Sequence, residues 1–184
     1  MIKKINFFDV FIASLFIIVT LITLRLIPHP PNFTPILASG IFAPYVFRFK
    51  YISVAIILIA MIISDLLIGF HNLLLFVYLP LIIILFISDY LKVRINQYSN
   101  FLILGFSGSV IFFIISNFGV WLITDYYPKN FIGIVECYTM AIPFFKNTLL
   151  STLMYLFIYI VMYKFMEKLM KQIFNFKLYW YNVK

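Results

Sequence analysis

Charge is what this chain has least of: Asp, Glu, Lys and Arg make up 11 % of its 184 residues, against 65 % hydrophobic. A water-soluble globule of that size would lack the polar residues to cover its surface, so the bilayer is its expected solvent. The single cysteine, Cys137, excludes an internal disulfide and has no His or Cys at metal-ligand spacing. The six acids are scattered, no Ser or Cys adjoins a histidine, and HExxH, GxSxG, Walker A and dinucleotide fingerprints are missing. An enzyme is therefore not expected, nor a metal site or cofactor. Without a phosphate-cradling loop, the chain also cannot drive transport by nucleotide hydrolysis. A signal peptide would be one basic cluster, one short apolar run and a cleavage site, whereas here apolar runs recur along the chain, so no processing is expected.

What is present is a series of long apolar runs. Crossing about 30 Å of hydrocarbon takes roughly 20 helical residues, because lipid cannot satisfy an open backbone. Residues 8–27, 51–69, 73–88, 101–123 and 143–163 qualify or nearly so. Between the first two lies a shorter apolar stretch within 33–47, either a sixth, abbreviated span or a re-entrant segment. Lys and Arg accumulate in cytoplasmic loops. Six spans with the N-terminus inside place Lys3, Lys4, Arg48, Lys50, Lys92, Arg94, Lys164, Lys168, Lys171, Lys177 and Lys184 on the inner side, leaving only Arg25, Lys129 and Lys146 outside. Five spans would move Lys3 and Lys4 to the wrong face. The expected architecture is an all-α integral membrane protein, a single domain over 1–184. It would be a bundle of about six transmembrane helices with a short second helix and a basic cytoplasmic tail over 164–184.

The formal net charge of +8 then needs no nucleic-acid partner. Lys164, Lys168 and Lys171 recur at i, i+4 and i+7, a basic stripe suited to anionic headgroups of the lipid bilayer or simply to a topology signal. Tyr179, Trp180 and Tyr181 suit the headgroup layer.

In this arrangement the polar residues gather on the outer side, and polar groups in a membrane normally face a bundle interior, a partner or water. Arg25 near the end of the first span is a snorkelling anchor, an anion-binding fork, or the partner of Asp65 near the outer end of the third. The connection RLIPHPPNFTPI, Arg25 to Ile36, holds four of the eight prolines. They fix φ and remove N–H donors, so the loop is stiff enough to hold His29 and Asn32 in place. His29 and His71 fall in outer connections and lack a third metal ligand, which leaves hydrogen bonding to loop backbone or to a ligand. Asn117, Trp121 and Asp125 at i, i+4 and i+8 fall on one helical face. They suit a flat polar ligand stacked on the indole, or alternatively an aromatic belt with an interhelix amide. Gly105 and Ser109 at small-xxx-small spacing read as a packing face, and Gly119 as a close-packing position. Phe131, Ile134, Val135, Tyr138 and Ile142 make an amphipathic stripe, a lid over a cavity or a plain interfacial helix.

RLIPHPPNFTPI, with SDLLIGFH, FVYLP, SNFGVW and CYTMAIPFFKNTLL, resembles a family of small, functionally uncharacterised bacterial inner-membrane proteins across nearly the whole chain. That family in turn resembles the substrate-binding S components of energy-coupling-factor (ECF) vitamin transporters: six helices, a short second helix and a ligand pocket under outer loops. The resemblance implies a partner coupling subunit and ATPases supplied by other chains, with the loop from Pro28 helping to close the pocket. The first span departs from the S-component pattern, since Ala13 and Ser14 are followed four residues on by Ile17 and Ile18, not by small residues. The expected function is capture of a small polar or aromatic solute from the outer face of the bacterial inner membrane. The alternative is a non-transporting scaffold or assembly subunit whose outer polar residues bind another protein.

Overall fold

Apolar runs that cannot leave N–H and C=O groups open to hydrocarbon close them by coiling. The computed structural model of the protein describes residues 7–47, 50–91 and 97–182, and within them the side chains of 12, 14–47, 50–91, 99–166, 168 and 169. Six helices form among the described residues: α1 (Phe7–Leu26), α2 (Ile36–Val46), α3 (Lys50–Ile68), α4 (Leu74–Leu91), α5 (Gln97–Ile123) and α6 (Phe131–Asn182). Four contain segments long and apolar enough to cross a membrane: Lys50–Ile68, Leu74–Leu91, Ser99–Ile123 and Phe131–Met166. The protein is an all-α membrane protein with a short second helix. Of the lysines and arginines behind the charge bias, Lys3, Lys4, Arg48, Lys92, Arg94 and Lys184 lie outside the described residues, as do the side chains of Lys171, Lys177, Tyr179, Trp180 and Tyr181.

The short helix α2 is the centre of the bundle. Its 11 residues rise only about 16 Å, too little to cross a bilayer alone, yet it packs against all five other helices. Every residue of α2 except Tyr45 is buried, as expected of a helix apolar all round. Ser39 on α2 shares a 2.8 Å hydrogen bond with Tyr159 on α6, and the Ser88 hydroxyl on α4 donates to the Ile41 carbonyl at 2.6 Å. Phe42 stacks on Tyr159 with ring centroids 5.4 Å apart. Close approach of the helices depends on glycine: a Cβ on Gly119 would collide with Cβ and Cγ of Phe76 on α4, and one on Gly105 would lie 2.7 Å from Cδ2 of Leu153 on α6. Gly105 therefore sits in the α5/α6 packing face.

Several boundaries differ from the sequence expectation. The second helix begins at Ile36 because Pro35 is its N-cap; residues 33–35 belong to the preceding loop. The third ends at Ile68 because Gly69, with φ +107°, turns the chain and its N–H closes on the Asp65 carbonyl at 2.8 Å. The amphipathic stretch from Phe131 and the span from Pro143 are not two elements but one continuous 52-residue helix, with Pro143 inside it. The stripe at 131–142 is thus the first three turns of α6, not a separate lid. Proline is tolerated within such a helix where neighbouring groups re-satisfy the backbone.

Candidate functional site

Alternating helix directions bring the ends of α1, α3 and α5 to the same end of the bundle as the beginnings of α2, α4 and α6. There Arg25 and Asp65 meet, with Nη2 to Oδ1 at 2.6 Å and side chains 9 % and 1 % exposed. The other carboxylate oxygen of Asp65 accepts from the Tyr78 hydroxyl at 2.5 Å. Nη1 of Arg25 donates to the Ser64 hydroxyl and lies 3.5 Å from the Met61 carbonyl. A charge buried without a partner would cost several kcal/mol; here each is paired and hydrogen-bonded, and α1, α3 and α4 are joined at one point.

Beside the pair lies a cavity of about 270 Å³, lined by Arg25, His29, Asn32, Thr34, His71, Thr148 and Thr152 over an apolar wall of Ile36, Leu37, Ile68, Val77 and Phe112. Its mouth is marked by His29, Asn32 and His71, all exposed. A volume near the lower end of ligand pockets, roughly 300–1,000 Å³, sets the scale of a small solute.

The proline loop forms one rim through a specific turn. The N–H of Phe33 donates to the Pro30 carbonyl at 2.9 Å, and Asn32 has φ +61°. Proline cannot take positive φ, so Pro31 followed by a left-handed Asn32 makes a type II turn, with proline and asparagine at the positions that favour them. Two residues of α6 tether it: Asn147 Nδ2 donates to the Pro31 carbonyl at 3.0 Å, and the Ser151 hydroxyl reaches the Asn32 carbonyl at 3.4 Å. Phe33 packs edge-on against Tyr155.

The two histidine rings engage backbone through Nδ1 in opposite senses. Nδ1 of His29 lies 2.9 Å from the Pro30 carbonyl, which only accepts, so Nδ1 carries the hydrogen and Nε2 of the neutral ring is an acceptor. Nδ1 of His71 accepts the Leu73 N–H at 3.2 Å, so its Nε2 carries the hydrogen and is a donor. Thr148 and Thr152 donate to the carbonyls four residues back, Phe144 at 2.9 Å and Thr148 at 2.7 Å, leaving their oxygens as acceptors.

Five of the eight residues singled out in the sequence therefore converge: Arg25, His29, Asn32 and His71 line the cleft, and Asp65 lies directly behind Arg25. The other three do not line it. Asn117 donates to the Phe113 carbonyl on its own helix at 2.8 Å. The Trp121 indole N–H donates to the Pro128 carbonyl at 2.9 Å, with the Lys129 ammonium 5.8 Å from the ring centroid. Asp125 lies in the turn beyond Ile123 and is exposed, which corrects the helical i, i+4, i+8 face: α5 ends before its third member. Lys129 also donates to the carbonyls of Trp121, Leu122 at 3.2 Å and Thr124 at 2.5 Å, capping α5.

Sequence reasoning missed Tyr78, Ser64, Thr34, Thr148 and Thr152. The run NTLLST, Asn147 to Thr152, was the available signal, since it places three hydroxyls and an amide within six residues of an apolar helix. Among the described residues, no three His, Cys, Asp or Glu side chains gather to hold a metal.

The chain belongs to DUF6580, a family of unknown function, whose profile matches residues 5–173. No curated protein and no solved structure matches it.

Proposed function

We propose that the protein is a multi-pass component of the bacterial inner membrane that binds a small polar or aromatic solute from the outer face, in the manner of an ECF-type S component. It has no chemistry of its own in this reading. The observation that carries it is the convergence of Arg25, His29, Asn32 and His71 on one cleft of about 270 Å³, with ring nitrogens of opposite hydrogen-bonding sense and an apolar wall. A few placed polar groups over apolar lining are what orient a small ligand. The buried Arg25–Asp65 pair supports the site from behind, and the tethered type II turn holds its rim. Coupling to transport would use a membrane subunit and ATPases from other chains. The first helix leaves the mode of docking distinct from the usual small-residue pattern, since Ile17 is buried against the bundle where that pattern would have an open small-residue surface.

The test is a solute screen on purified protein in detergent, read as thermal stabilisation. A ligand at about 100 times its Kd stabilises the folded state by about 2.7 kcal/mol. Stabilisation by a solute that is lost in both His29→Ala and His71→Ala supports the cleft; stabilisation indifferent to both counts against it. The scaffold alternative predicts instead that the outer polar residues retain a protein partner on purification and that no solute stabilises the chain.

A further inference from the structure

The charge of the cleft is balanced from within the protein. Among the described residues, Arg25 is the one Lys or Arg that lines it, and no Asp or Glu does, so the lining alone would suggest an anion site. The guanidinium is, however, already paired with a carboxylate 2.6 Å away that is itself 1 % exposed. Tyr78 holds that carboxylate's second oxygen, and Ser64 and Met61 occupy Nη1. An incoming anion would give up its hydration for a guanidinium whose charge is offset, and would sit within the field of a buried Asp65 that cannot withdraw. A neutral solute meets no such conflict. With carboxylate behind and guanidinium in front, the pair presents the positive end of a dipole to the cleft, which favours an electronegative oxygen over a net negative charge. Among the described residues, Nε–H of Arg25 has no protein acceptor.

The remaining polar atoms complete the pattern. Donors are Arg25 and Nε2–H of His71; acceptors are Nε2 of His29 and the hydroxyl oxygens of Thr148 and Thr152, whose hydrogens are directed to their own helix. The Asn32 amide and the Thr34 hydroxyl, which can serve in either sense, also line the cleft. A ligand that meets both sets carries an acceptor and a donor on one small frame. The geometry points to an uncharged solute bearing an amide, either a ring carboxamide or a cyclic amide, with its carbonyl toward Arg25 and its N–H toward His29 or the threonines. The cleft would discriminate against the carboxylate of the same shape. This inference rests on the solute-site reading and adds its ligand class.

Matched pairs test it on the full chain in detergent: benzamide against benzoate, and pyridine-3-carboxamide against pyridine-3-carboxylate, by isothermal titration at pH 7.5 and low salt. Each amide is expected to bind at least tenfold more tightly than its carboxylate. In Asp65→Asn, which uncovers the Arg25 charge, the ratio should fall or reverse. Should that variant fail to fold, the wild-type ratios decide alone. A carboxylate that binds as tightly as its amide, with binding lost in His71→Ala, overturns the neutral-amide assignment while leaving a solute site. Absence of binding by every amide overturns the assignment as well. If, in addition, no solute in a wider screen responds to His29→Ala or His71→Ala, the solute-site reading falls with it.

Discussion

Arg25 on α1 and Asp65 on α3, forty residues apart in sequence, close to 2.6 Å in the interior of the bundle. Each needs the other, because a lone charge so nearly buried has no alternative partner of opposite sign among the described residues. Removing one member of such a pair typically costs about 3–5 kcal/mol. Arg25→Met and Asp65→Leu should each destabilise the protein in detergent unfolding by that order, and the double variant by clearly less than the sum. Additive losses would contradict a direct pairing.

Tyr78 gives an independent measure of the same cluster. Tyr78→Phe removes the one hydroxyl that donates to Oδ2 of Asp65 without changing ring packing. A buried acceptor left unsatisfied costs about 1–3 kcal/mol, more when charged. The unfolding midpoint should fall accordingly. A neutral substitution would place Asp65 in a different hydrogen-bonding arrangement.

At Asn32, backbone and side chain are separable. Its φ of +61° is open to glycine but strains alanine, a cost of about 1–2 kcal/mol. Asn32→Gly should hold stability near wild type, while Asn32→Ala lowers it. If the amide contacts solute, Asn32→Gly should also weaken binding while the fold is kept. Equal stability of the two variants would contradict the type II turn.

Gly119 and Phe76 set the distance between α5 and α4. A methyl at Gly119 would meet Phe76 well inside contact distance, and overpacking of this kind costs about 1–3 kcal/mol. Gly119→Ala should destabilise the protein in detergent unfolding by that order. Unchanged stability would contradict so close an approach of α5 to α4.

Much of this arrangement was legible in the sequence, and the failures have physical causes. The expense of Arg25 and Asp65 in an apolar setting made their pairing one of the readings the sequence offered, beside a snorkelling anchor and an anion-binding fork. The proline-rich connection announced a stiff loop, though not that Asn32 would carry its left-handed turn. The burial of α2 on every side was not legible, because a mostly apolar stretch of eleven residues fits a re-entrant segment as well as a core helix, and only the surrounding helices decide. Pro143 suggested a boundary, since proline disfavours helix at the residue before it, but packing carried α6 straight through. Trp121 and Asn117 looked like a stacking face because their spacing is helical. Their hydrogen bonds to Pro128 and Phe113 are tertiary and local choices that spacing does not encode. Thr148 and Thr152 escaped notice because hydroxyls in apolar helices commonly bond their own backbone, which they do while still lining the cleft.

The most direct measurement is a structure of the protein with the tightest-binding solute from the screen. The account predicts that the solute occupies the cleft between the proline loop and α6, with polar atoms within hydrogen-bond distance of Arg25 and of Nε2 of His29 or His71, and with the Arg25–Asp65 pair intact. A solute bound instead against Trp121 and the α5–α6 turn, with the cleft unoccupied, would contradict it.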